Sequence, residues 1–98
     1  MGHAVGVIRR SKVAKTDDVK ITFSLPANEP PGTVSVVGDF NDWTPGTTVL
    51  AKRANGTRSA AVTLPAGSKY RFRYLGENGH WFDDDEAERD GDAGLIIT

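Results

Sequence analysis

Apolar and polar residues alternate with a period of two over much of the chain. Val19, Ile21, Phe23 and Leu25 interleave with Lys20, Thr22 and Ser24, the spacing of a strand with one face in a core. Lys69 to Leu75 alternates most clearly, with Tyr70, Phe72 and Tyr74 on one side and Lys69, Arg71 and Arg73 on the other. Further strands are predicted over Thr33 to Val37, Arg58 to Leu64, His80 to Phe82 and Leu95 to Thr98, with a weaker one around Thr47 to Lys52. Pro26 to Gly32 and Pro65 to Gly67 break the pattern, Asn55-Gly56 marks a hairpin turn, and Glu77 to Gly79 reads as another turn. Asp83 to Asp92 reads as an acidic loop. Residues 1 to 16 are expected either as a loose arm or as an added edge strand, with Ile8 to Val13 the ordered part and 1 to 6 mobile.

No eleven-residue window carries a helical stripe. Short strands separated by turn signals every 8 to 12 residues argue an all-β fold, an immunoglobulin-like β-sandwich of about seven short antiparallel strands. With 98 residues, 38% of them hydrophobic, the chain is expected to form a single domain over 1–98. Neither the large barrel nor the nucleotide-binding α/β scaffold fits that length.

Charge sharpens the picture in one respect. The net value is −1, yet residues 1 to 82 hold 11 basic against 6 acidic side chains, and residues 83 to 98 hold 1 against 7. Such a chain can neutralise itself, so the balance points to no anionic partner. The acidic run fails the calcium-loop pattern, because the fifth and sixth positions from Asp83 are Ala87 and Glu88. Cysteine is absent and His3 and His80 are the only histidines, which removes disulfides, thiol nucleophiles and multi-histidine metal sites. His80 reads as an exposed turn residue. No cofactor and no metal are expected, and no pair of carboxylates is singled out for glycoside hydrolysis. The run Ala4 to Ile8 is too short for a signal peptide, and no stretch is long and apolar enough for a membrane span, so the expected location is cytoplasmic.

Candidate chemistry concentrates in Gly38-Asp39-Phe40-Asn41-Asp42-Trp43. The plain structural reading has Phe40 and Trp43 plug the end of the sandwich while Asn41 and Asp42 make the turn. A second reading joins Trp43 to Trp81 and to Arg71 and Arg73, which project away from the aromatic face of their strand. Two indoles beside fork-shaped donors suit a neutral polyhydroxylated ligand: a sugar ring stacks its C–H face on an indole while guanidinium and amide groups bond the hydroxyls. Strict alternation parts the aromatics from the arginines, which argues against a sheet that stacks RNA bases.

Gly38-Asp39-Phe40-Asn41-Asp42-Trp43, then Leu64-Pro65-Ala66-Gly67, Tyr70-Arg71-Phe72-Arg73-Tyr74 and Trp81 ahead of Asp84, resemble the family 48 carbohydrate-binding modules. These include the early-set domains at the N-termini of isoamylases and glycogen branching enzymes, and the glycogen-binding domain of the AMP-activated protein kinase β subunit. The likeness spans roughly Val7 to Thr98. It implies a non-catalytic module for α-1,4-glucan (glycogen, starch or maltodextrin), related to the N-terminal domains of glycoside hydrolase family 13. Trp43 and Trp81 match the family's stacking residues and Arg71 its basic hydrogen-bonding residue, with Arg73 and Asn41 as further contacts. Affinity of about 10 µM to 1 mM is expected from an open surface with few polar contacts. A glycogen-metabolising enzyme is the expected protein partner, and neither nucleic acid nor membrane is. Two departures stand out: no proline follows Trp81 in Phe82-Asp83-Asp84-Asp85, and the next loop is shortened to the acidic Glu86 to Gly94, with Gly94 near the position of a sugar-bonding asparagine. The alternative is an immunoglobulin-like protein-interaction or regulatory domain whose sugar site is degenerate.

Overall fold

The computed structural model describes residues 7–27, 32–83, 88–91 and 93–98. Nine strands lie among them: β1 (Val7–Lys12), β2 (Asp18–Pro26), β3 (Ser35–Gly38), β4 (Ala51–Lys52), β5 (Thr57–Pro65), β6 (Lys69–Leu75), β7 (Trp81–Phe82), β8 (Glu88–Asp90) and β9 (Ala93–Ile97). They form two antiparallel sheets packed as a sandwich. One sheet runs β1-β2-β5-β4 and the other β3-β6-β9-β8, with β7 also paired to β6. Both β7 and β9 pair with the edge of β6 that β3 leaves free, β9 along Lys69 to Phe72 and β7 along Tyr74 and Leu75. The second sheet is therefore four columns wide, like the first.

Alternation does what its period requires. On β2, Val19, Ile21, Phe23 and Leu25 are buried, and on β6 Phe72 and Tyr74 are fully buried while Lys69 and Arg71 are exposed. Phe23 lies at the centre, its ring 5.2 Å from Phe72, 5.9 Å from Phe40 and 6.4 Å from Tyr74. Each such side chain contributes about 1.5–3 kcal/mol by leaving water, and ring pairs add about 0.5–1.5 kcal/mol each. Gly94 is shaped by the same packing: a Cβ there would stand 2.7 Å from the Phe72 ring. Position 94 thus faces the core, and no side chain placed there reaches a ligand on the outer surface.

Two expected elements form differently, and two strands exceed the seven. The weak segment Thr47 to Lys52 is divided between the sheets. Val36 N–H donates to Thr48 O (2.8 Å) and Leu50 N–H to Val34 O (3.0 Å), so residues 48–50 run along β3 before the chain crosses to pair with β5 as β4. The N-terminal segment takes the edge-strand alternative: β1 pairs along β2, and Arg10 Nη1 donates to Ile97 O at 2.8 Å, tying it to the opposite sheet. Glu88 to Asp90, expected as loop, is an edge strand against β9. The expected mobile arm 1–6 and the acidic residues 84–87 lie outside the described residues. Arg58 of β5 is only 2% exposed, and its Nη1 donates to Gly32 O at 2.7 Å. Among the described residues no helix is long and apolar enough to cross a membrane.

Candidate functional site

The outer face of the second sheet is set by register. Directly paired residues in antiparallel strands point the same way, so Leu75 and its partner Trp81, Arg73 and its partner Val37, and Arg71 and its partner Leu95 share the face opposite the core. Ser35 is there too, paired with Leu75. Its Oγ accepts from Gly46 N–H at 3.2 Å, which brings the loop after β3 across this face. Val37 is fully buried yet outside the core cluster, as a residue covered from that side must be. The loop carrying Trp43 therefore lies on the face that holds Arg71 and Trp81.

A tight corner shapes the loop. Gly38 sits where β3 approaches β6, and a Cβ on it would collide with the Arg71 carbonyl oxygen and stand 2.9 Å from the Phe40 ring. The 3₁₀ turn Asp39–Asn41 follows. Asn41 Oδ1 accepts from Gly38 N–H (3.0 Å), and its Nδ2 donates to Val36 O (2.9 Å) and Thr48 Oγ1 (3.1 Å). Both amide hydrogens are used, so Asn41 has no donor left for a sugar without opening the loop. Asp42 and Trp43 then take left-handed backbone conformations, with φ of 55° and 56°. Consecutive non-glycine residues there carry strain of about 1 kcal/mol each or more. Trp43 N–H donating to Gly38 O (2.9 Å) and Thr44 N–H to Asn41 O (3.1 Å) hold the turn against it.

Trp43 is half-buried and absent from the hydrophobic core, whereas Phe40 packs on Phe23 and, 6.5 Å away, on Tyr70. Phe40 alone plugs the sandwich. The Trp43 indole N–H donates to Asp39 Oδ1 at 2.9 Å, and Asp39 Oδ2 accepts from Arg71 N–H at 2.9 Å, with Arg71 Nε 3.6 Å away. Partial burial pushes the Asp39 carboxyl up; the hydrogen bonds from the Arg71 backbone and the Trp43 indole, with the Arg71 charge, outweigh it and hold the group below its ordinary value. The Arg71 side chain remains 54% exposed. Asp39 escaped the sequence reading, although its place one residue past the Gly38–Phe72 pair sets it opposite Arg71.

The second tryptophan is held by other means. Trp81 is 43% exposed, and the Arg73 guanidinium carbon lies 5.4 Å from its ring centroid, within cation–π range. Asp83 grips that guanidinium through Nε to Oδ1 (3.0 Å) and Nη2 to Oδ2 (3.3 Å). His80, exposed at the end of the turn Glu77–Gly79, stacks on Phe82 at 5.4 Å. Along β6, Arg71 and Leu75, the partner of Trp81, are four strand steps apart, about 13 Å. Gly32, Thr33, Val49, Leu50, Lys52 and Arg58 line an open cleft of about 270 Å³. No family model matches the chain, and no curated protein matches it either.

Proposed function

We propose that this sandwich binds α-1,4-glucan chains without catalysing a reaction, as an immunoglobulin-like early-set module of the family 48 kind. One observation carries the reading: both tryptophans stand outside the hydrophobic core, on the outer face that also bears the exposed Arg71. An indole outside the core keeps part of its flat apolar surface toward solvent, half-buried at Trp43 and exposed at Trp81, and a pyranose ring's C–H face complements it. In this assignment Trp43 and Trp81 stack on sugar and Arg71 donates to hydroxyls. Asn41 and Arg73 serve through what they hold, Asn41 the loop and Arg73 the Trp81 ring. The cation over Trp81 engages its π surface, leaving the solvent-exposed part of that ring for the ligand. A glycogen-metabolising enzyme is the partner such a module would bring to its substrate.

Titration with maltoheptaose and β-cyclodextrin, followed by tryptophan fluorescence with cellohexaose as control, tests this. A saturable change at micromolar to millimolar α-glucan, absent with the β-linked chain, is expected. No response to millimolar α-glucan overturns the reading and leaves the protein-interaction alternative.

A further inference from the structure

Asp39 joins three groups that the glucan-binding reading places at one end of the site. Its Oδ1 takes the indole N–H of Trp43, its Oδ2 takes the backbone N–H of Arg71, and the Arg71 guanidinium lies 3.6 Å from that same oxygen. Trp43 meanwhile occupies a left-handed backbone conformation, φ 56°, which a tryptophan adopts only when its surroundings impose it. The backbone leaves the ring several χ1 and χ2 orientations, and the carboxylate, by accepting from the indole nitrogen, selects one. Asp42, the neighbouring acid, is exposed and makes no such bond to the ring.

From this geometry we infer that Asp39 is a positioning residue for the sugar site, fixing the plane of Trp43 and the register of Arg71 before ligand arrives. The inference rests on the glucan-binding reading. A pre-set plate and donor spare the ligand the ordering cost of both side chains, which raises affinity without any contact between Asp39 and sugar. A carboxylate suits the task because it only accepts, and both of its partners are N–H donors. Asn in its place keeps one acceptor and turns an NH₂ toward the other donor.

Asp39→Ala, Asp39→Asn and the charge control Asp42→Asn test the role by two readouts in the whole protein. The first, without sugar, is solvent exchange of each tryptophan's indole N–H by ¹⁵N NMR, assigned with Trp43→Phe. The second is maltoheptaose affinity by calorimetry. Asp39→Ala is expected to speed exchange at Trp43 about tenfold while leaving Trp81 unchanged, and to weaken maltoheptaose about tenfold. Asp39→Asn falls between, and Asp42→Asn matches the parent in both. Should Asp39→Ala fail to fold, Asp39→Asn decides. Unchanged indole exchange, or unchanged affinity where the parent does bind, overturns the positioning role and spares the functional reading. A parent that binds no maltoheptaose overturns the functional reading, and the role in binding with it, whatever the exchange rates show.

Discussion

The two tryptophans of the outer face are held in opposite ways. Trp43 sits half-buried on a strained loop, its nitrogen hydrogen-bonded to Asp39, with the loop stapled by Asn41 and closed against β6 at a glycine no larger residue can replace. Trp81 sits on a two-residue strand, more exposed, with a guanidinium over its ring and no hydrogen bond to its nitrogen among those described. A hydrogen bond fixes direction, whereas a cation over a π face tolerates sliding. On that contrast the Trp43 corner is the rigid half of the site and the Trp81 corner the adaptable half.

The largest effect should come from breaking the rigid corner's frame. Gly38→Val forces a side chain into the Arg71 carbonyl and the Phe40 ring and should cost about 3 kcal/mol in urea unfolding, because the β6 backbone at Arg71 and Phe72 cannot yield. Loss of the rings themselves separates the corners next. Trp43→Ala should weaken maltoheptaose about 100-fold and Trp81→Ala about tenfold, with cooperative unfolding kept in both, since neither ring is in the core. Equal losses would erase the contrast. Asp83→Asn should free the Arg73 fork and change Trp81 emission, while affinity falls only about threefold, as a partly exposed ion pair is worth about 1 kcal/mol or less.

Acid gives the smallest and most selective effect. The Asp39 carboxyl is held below its ordinary value of 3.8, so its stabilisation is present above that value and fades as pH falls through the lower folded one. Protonation of Asp39 should then loosen the Trp43 indole only on the acid side of that ordinary value. Indole exchange measured down the pH scale should part the two tryptophans, with Trp43 responding to this group and Trp81 not.

What was legible in the sequence was what local periodicity controls. The Lys69–Leu75 strand, its aromatic inner side and its basic outer side follow from alternation alone, and the turn at Asn55-Gly56 from residues that accept a positive φ; Gly56 has φ of 81°. Contacts between distant segments were not legible. Glu88 to Asp90 has no apolar alternation and is a strand because β9 offers an edge. Thr47 to Lys52 looked weak because it serves both sheets in turn. Phe40 and Trp43, three residues apart, allow two readings in the sequence, both as plugs or Trp43 at the surface, and the turn between them sends only Phe40 to the core. Asp39 stood in the motif with no role assigned, since its value depends on β6, thirty-two residues onward. The burial of Arg58 inside an otherwise ordinary strand was likewise invisible, as its carbonyl partner lies across the fold at Gly32.

Site-resolved ¹H–¹⁵N titration of the parent protein with maltoheptaose tests the central claim most directly. The account predicts that the Trp43 and Trp81 indole signals and the Arg71 amide move together, along one saturation curve, while core amides such as those of Ile21 and Phe23 stay in place. Shifts confined to one tryptophan, shifts elsewhere on the sandwich, or none at millimolar sugar would contradict it.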